Sequence, residues 1–381
     1  MSSTRIVLAN AHVVGRHEVV KGSVHAVDGW IDAVDAGRCH APGAIDLEGD
    51  WLLPGIVELH TDVLERHAAP RPGVQWPPHA AVVAHDAQLA GAGITTVLDS
   101  LALGYVIDAG TRPRDPRPLV EAIRDSQAAG LLRCEHFLHL RCEVSTEHVL
   151  QAFEPLAADP LVRLVSLMDH TPGQRQFTSL EKYREYNQGK YGLSDAQVDA
   201  LIARRHEDQA RFGVPHRAAI VARCRARGLT LASHDDATAA HVAEAVEAGT
   251  AIAEFPTSLA AAQAARDAGM AVLAGAPNLV LGRSHSGNIS AADLAAADLV
   301  DILSSDYVPS SALHGAFVLH VRHGVPLPAA VAAVTATPAR RVGLRDRGEI
   351  APGQRADLLR VRLAADLPVV VAAWRCGRRI A

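Results

Sequence analysis

From about residue 79 onward, apolar runs of strand length alternate with stretches of helical spacing. Residues 94–98 follow an alanine-rich helical pattern at 79–92, 137–140 follow 119–129, and 162–168 follow 147–156. The rhythm resumes with 229–233 after 215–227, 252–255 after 237–248, 271–274 after 258–268, and 299–304 after 291–297. Strands alternating with helices predict β-α-β units and a parallel sheet. The run 52–59 adds an eighth strand, and eight such units fit a closed (β/α)8 TIM-like barrel better than an open, doubly wound sheet. The alternation breaks at 171–213, a polar excursion after the strand ending at Met168. Excursions at the carboxyl ends of barrel strands usually build active sites.

The two ends of the chain carry a different pattern. Residues 5–14 and 24–34 alternate with period 2 around turns at Gly22 and Asp28-Gly29, and 356–361 and 368–374 are β-prone runs set off by Pro352-Gly353 and Cys376-Gly377. Neither end is large enough to close a core alone. Both are therefore expected to pair in one small β-sandwich domain, residues 1–52 plus 347–381, beside a barrel of residues 53–346.

Composition changes the picture in three ways. With 49% hydrophobic and 21% charged residues, the chain has ample material for a core, so disorder is excluded. A net charge of −5 offers no global basic field, so neither nucleic acid nor an acidic membrane surface is an expected partner. The five cysteines (Cys39, Cys134, Cys142, Cys224, Cys376) are scattered and form no CxxC pair, which fits a reducing cytoplasm better than a disulfide framework. The first residues lack a charged start followed by an unbroken apolar core, and no stretch reaches about 18 apolar residues, so a soluble cytoplasmic protein is expected. Twenty histidines invite a search for metal ligands.

That search finds a recurrent device: apolar runs end in side chains able to hold a metal. IVELHTD ends in His60 and Asp62, FLHLRCE in Glu143, LVSLMDH in Asp169 and His170, LTLASHDD in His234, Asp235 and Asp236, and DILSSD in Asp306. A lone histidine after a strand is usually a structural residue, but barrel strands present their carboxyl ends at one rim, where such residues converge. In extended chain, i and i+2 share a side, so His60 and Asp62 can grip one cation. Nitrogen with carboxylate oxygen suits zinc or another first-row divalent ion better than calcium. One or two ions per chain are expected, with His60, Asp62, Glu143, His170 and His234 as ligands, Glu143 spanning two ions if two bind. A metal-held water would then become the nucleophile and Asp306 would accept its proton.

LLPGIVELHTD, the strand ends at His170 and His234, Asp306 and the tail GEIAPGQRADLLRV resemble the amidohydrolase superfamily over essentially the whole chain. The resemblance implies a metal-dependent hydrolase barrel flanked by a β-sandwich from both termini. It narrows in ELHTDVLERHAAPRPGVQWP, AHDAQLAGAGITTVLDS, HLRCE, LMDHTPGQRQF, YNQGKYGLS and GAPNLVLGRSHSGNIS, which together resemble the PhnM family of α-D-ribose 1-methylphosphonate 5-triphosphate diphosphatases. Hydrolysis of that triphosphate to the 5-phosphate and pyrophosphate, in phosphonate catabolism by the carbon–phosphorus lyase pathway, is what this likeness implies. Two departures from the commoner superfamily pattern stand out: His-x-His is here His60-x-Asp62, and no lysine stands at a strand end, since Lys182 and Lys190 lie in the excursion. Glu143 is therefore the expected bridge.

A phosphorylated sugar carrying about four negative charges calls for cations beyond the metal, and arginine suits bidentate phosphate contacts. Candidate substrate-binding residues are Arg71, Arg175, Lys190 and Arg283, together with Ser286 and Asn288, against a solvated-surface or helix-cap explanation for each. Glu65 and His67 follow the first ligand pair closely enough to support it or touch substrate. Cys142 is expected to pack, and the charge-rich stretch 201–211 to form a solvated helical face. No Walker-type GxxxxGK[ST] or GxGxxG is present. The enzyme rival is a C–N hydrolase such as a deacetylase or deaminase, because one barrel hosts many chemistries. A non-catalytic metallo-barrel scaffold is a third reading, disfavoured by the complete ligand set. A homo-oligomer is left open.

Overall fold

The computed structural model describes residues 4–71, 73–104, 115–284 and 287–381, apart from the side chain of Lys190. Eight parallel strands form the central sheet: β1 Ile56–Thr61, β2 Ile94–Leu103, β3 Glu135–Glu143, β4 Val162–Met168, β5 Thr230–His234, β6 Ile252–Glu254, β7 Ala271–Gly275 and β8 Ile302–Ser304. Each pairs with the next in sequence order. The seam between β8 and β1 is closed by a parallel bridge from Thr61 to Asp306 and by Glu58, whose carboxylate accepts from Ser304 Oγ at 2.6 Å and the Ser305 amide at 2.7 Å. Full burial pushes the Glu58 carboxyl above its usual range.

The barrel interior is filled by side chains: Val57, Leu98, Leu164, Ile252, Leu273 and Ile302, from six different strands, share one buried cluster. Ala339 and Val342, from helix Ala336–Arg341 and its end, join that cluster. They plug the amino-terminal mouth, since the Arg341 carbonyl accepts from Thr230 at the start of β5. The opposite, carboxyl-terminal mouth is left for the site.

The termini meet as expected. A second sheet runs in the order Arg378–Arg379, Leu367–Arg375, Leu358–Ala364, Trp51–Pro54, Arg5–Val14, Val19–Val27, Trp30–Ala36. An antiparallel bridge from Trp30 to Arg355 folds it back over its own core of Leu8, Ile31, Leu52, Leu358 and Trp374. The expected single strand 52–59 is divided: Trp51–Pro54 belongs to this terminal sheet and Ile56–Thr61 to the barrel. Gly55 makes the joint, because a Cβ there would meet Thr95 Oγ1 at 2.2 Å.

The polar excursion folds into helices Leu180–Tyr191 and Asp195–Asp208. Ser179 caps the first by accepting from the Lys182 amide, and Ser194 with Gln197 forms a capping box on the second. A π-helical turn at Gln209–Gly213 then runs into helix Val214–Arg227. The stretch 201–211 is the expected solvated face at Arg204, His206, Glu207 and Arg211, but not at Arg205. Arg205 is 2% exposed, and its guanidinium donates to Glu143 Oε1 at 2.8 Å and Ser145 Oγ at 2.9 Å. A solvated stripe and an inward arginine read alike in sequence; only the packing of this helix over the barrel mouth separates them. Among the described residues, no helix is long and apolar enough to cross a membrane. The five cysteines are free, and Cys142 is buried in the core.

Candidate metal centre

The carboxyl ends of the strands open on a cleft of about 290 Å3 lined by His60, Asp62, His234, Asp235 and Asp306. Backbone pairing places the first and last of these together: the Asp306 amide donates to the His60 carbonyl at 3.0 Å, and the Asp62 amide to the Asp306 carbonyl at 3.4 Å. Asp235, Phe255 and Asp306, all on the cleft wall, hold left-handed backbone at φ 55°, 54° and 50°. Strain of this kind in non-glycine residues gathers at functional sites.

A residue absent from the expected set organises the histidines. Glu254, at the end of β6, is fully buried; its Oε1 lies 2.6 Å from His60 Nδ1 and its Oε2 2.6 Å from His234 Nδ1. The two imidazoles stack with centroids 6.0 Å apart. Burial alone would raise the Glu254 carboxyl, but His60, His139 and His234 together hold it well below the carboxylate range. Burial likewise opposes a charged His60, and Glu254 outweighs it, so His60 titrates above its ordinary value. One carboxylate thus orients two rings from Nδ1, which leaves each Nε2 for another partner.

Glu143 treats His170 in the same way. Its Oε2 lies 2.5 Å from His170 Nδ1, while Oε1 accepts from the His170 amide, Ser145 and Arg205. Burial disfavours ionised Glu143, yet His170 and Arg205 hold its carboxyl far below the usual range. Burial opposes charge on His170 too, and Glu143 with Asp235 carries it up to about 9. Both Glu143 oxygens are thus engaged here, Oε2 with the His170 ring and Oε1 with the His170 amide, Ser145 and Arg205. The free nitrogens converge elsewhere: His170 Nε2 and His234 Nε2 lie 3.5 and 3.4 Å from Asp235 Oδ2. That buried oxygen accepts no hydrogen bond among the described residues. Two imidazole nitrogens and an orphaned carboxylate oxygen, all within 4.8 Å of one another, are a donor set that fits a borderline divalent cation.

The expected anion-binding residues fare differently. Arg175 is buried, but its guanidinium is taken by Asp236 and, at 2.7 Å, by Glu244, so its charge stabilises the loop after β5. Arg71 and Arg283 are exposed and outside the cleft lining. Asn288 does line the cleft and donates to the Gln176 carbonyl at 3.3 Å. Ser286 and the Lys190 side chain lie outside the described residues. Glu65 is buried and accepts from the Ala102 amide at 3.2 Å, and His67 sits 2.9 Å from Gln88 Oε1; neither lines the cleft.

Among the described residues, the arginines that do line the cleft are Arg66 and Arg141. Both escaped the sequence analysis, as did Glu254 and the placing of Asp235 with His170 and His234 in one donor group. The signals were available: Glu254 ends an apolar run as the other candidates do, and Arg141 stands two residues before Glu143, the spacing that singled out His60 and Asp62.

Residues 79–373 match the Amidohydrolase family model, and the chain belongs to that family of hydrolases. It is 48% identical over 377 residues, 98% of its length and all of the relative's, to the alpha-D-ribose 1-methylphosphonate 5-triphosphate diphosphatase of Escherichia coli (strain K12). Among solved structures, N-acetyl-D-glucosamine-6-phosphate deacetylase from Mycobacterium smegmatis aligns over 99% of this chain and 100% of its own at 20% identity and a TM-score of 0.60. The deacetylase from Pasteurella multocida aligns over 99% of both chains at 13% identity and a TM-score of 0.63. At such identities the likeness is one of fold, a barrel carrying a sheet built from both termini.

Proposed function

We propose that this chain hydrolyses α-D-ribose 1-methylphosphonate 5-triphosphate to the 5-phosphate and pyrophosphate, as a metal-dependent diphosphatase of phosphonate catabolism acting in the reducing cytoplasm. The full-length 48% identity to the Escherichia coli diphosphatase carries this reading. The deacetylase likenesses share the fold alone, and the C–N hydrolase and scaffold readings draw no separate support from the cleft.

His170, His234 and Asp235 would hold a divalent ion, zinc being the ion their chemistry suits, with His60 and Asp62 completing the donor set from the facing strand. When bound, such an ion supplies a Lewis acid for a phosphoryl oxygen and lowers the pKa of water. The chain's own residues do the rest. Glu254 and Glu143 accept from the Nδ1 sides of their histidines and so fix which nitrogen faces the cleft. Asp306, held beside His60 and Asp62 by backbone hydrogen bonds, receives the proton of the attacking water.

Purified enzyme loaded with zinc or manganese should release one pyrophosphate per ribose triphosphate consumed. Absence of pyrophosphate would overturn the assignment, and ammonia or a new carboxylate from amide substrates in parallel assays would favour the C–N reading. Metal analysis, read as molar equivalents per chain, decides between one ion and two.

A further inference from the structure

Five arginines are buried among the described residues: Arg141, Arg175, Arg205, Arg347 and Arg355. Four have carboxylate partners. Arg175 holds Asp236 and Glu244, Arg205 holds Glu143, and Arg347 and Arg355 share Glu135. Arg141 is 8% exposed, its Nε makes no hydrogen bond, and no carboxylate forms an ion pair with it among the described residues. It stands on the cleft wall, in the same lining as His60, Asp62 and Asp306.

A buried guanidinium without a counter-charge destabilises the fold by its lost hydration. The arrangement makes sense if the missing anion arrives with the ligand. The remaining charged lining is chiefly acidic, with Asp62, Asp235 and Asp306, so a polyphosphate entering the cleft needs cationic compensation from the wall. Arg66 stands on the exposed side, stacked over the Tyr307 ring at 5.7 Å. Among the described residues, Arg141 is the buried arginine on the cleft lining that has no carboxylate partner, and its planar fork matches two phosphoryl oxygens.

We propose that Arg141 is a substrate-binding residue that grips the phosphoryl oxygens flanking the bond to be cleaved, with Arg66 making a weaker contact at the rim. This rests on the diphosphatase reading for the identity of the anion. The arginine by itself calls for a phosphoryl anion, whatever molecule carries it.

The test compares wild type, Arg141→Met, Arg141→Lys and Arg66→Met. It measures calorimetric binding of inorganic pyrophosphate to the metal-loaded protein, metal content, and thermal unfolding of the metal-free protein. Arg141→Met is expected to lose pyrophosphate affinity by about tenfold or more, since charge-assisted bidentate pairs are among the strongest hydrogen bonds. It should keep its metal and unfold no lower than wild type, because an unpaired buried charge has been removed. Arg141→Lys should recover part of the affinity, and Arg66→Met should lose less than Arg141→Met. Unchanged pyrophosphate binding in Arg141→Met, or a lower unfolding temperature for it, would overturn the proposal. Should wild type bind pyrophosphate through Arg141 yet leave the ribose triphosphate intact, the diphosphatase reading fails and the polyphosphate site stands.

Discussion

Among the described residues, histidines and carboxylates gather in two neighbourhoods. One, at the barrel mouth, holds the groups His60, His139, Glu254 and His170, His234, Asp235, joined by the His234–Glu254 contact. The other joins His85, Asp86, Asp99 and His136 where helix Pro78–Gly91 packs on β2 and β3. In the second cluster Asp99 accepts from His85 at 2.8 Å and His136 at 2.7 Å, while Asp86 accepts from His136 at 3.3 Å and from the Arg133 and Cys134 amides. All four residues are fully buried, none lines the cleft, and charge is balanced internally by a cationic His136 set between two carboxylates. At the mouth, by contrast, the strained backbone, the orphaned Asp235 oxygen and an arginine with no carboxylate partner among the described residues belong to residues that line an open cleft. Ligand-like spacing therefore does not by itself identify a metal centre. What separates a site from a staple is whether unmet valence points at a place a ligand can enter.

The sharpest way to break this comparison is at Asp306. Asp306→Asn should lower kcat for pyrophosphate release by about 100- to 10,000-fold while metal content holds; retained turnover would remove Asp306 from the chemistry. Next is Glu254→Gln, which keeps the size of the side chain but weakens the hold on two imidazoles. Metal affinity, measured by competition with a chelator, should fall by about 10- to 100-fold, with little change expected for the corresponding Asp99→Asn in the second cluster. An equal loss from both variants would erase the distinction.

The smallest effect is one of stability and pH. Burial disfavours charge on His136, yet Asp99 and Asp86 raise it to about 9, above the ordinary 6.5. Its contribution to stability is therefore fully present below pH 6.5 and is lost as pH rises through about 9. Asp99, opposed by burial but depressed by His136 and His85, contributes in the other direction: its share is present above pH 3.8 and fades only in strong acid. Urea unfolding should show a decline on the order of a few kcal/mol between pH 6.5 and pH 9.5 in wild type. Asp99→Asn should be less stable at neutral pH and show a shallower slope, with turnover per folded molecule unchanged. An unaltered slope would mean that His136 is not the charged member of the network.

Much of this architecture could be read from periodicity. The alternation of 94–98, 162–168 and 271–274 with helical segments corresponds to β2, β4 and β7, because a parallel strand buried on both faces must be a continuous apolar run. Gly55 shows where such reading stops: 52–59 is one uninterrupted run in sequence, and nothing local says that its two halves serve different sheets. The strand-end positions of His60, Asp62, His170, His234 and Asp306 were legible, and the fold brings all five to the mouth. Arg175 is found paired with carboxylates for a reason that applies generally. A cation after a ligand strand is equally well placed to meet substrate or a neighbouring carboxylate, and Asp236 and Glu244 claim it only after the loop has closed.

What the amino-acid order determined by itself is the succession of strands and helices and the polar residue that ends each strand, since both are properties of a few consecutive side chains. Tertiary structure decided the partners. Glu254 reaches His60 across 194 positions of sequence and Arg205 reaches Glu143 across 62, so which nitrogen of a ring is held, and which faces the cleft, is a product of barrel closure. The same closure leaves Arg141 buried with no carboxylate partner among the described residues, and the pairing of a buried charge is a fact of three-dimensional packing that no local pattern in the chain records.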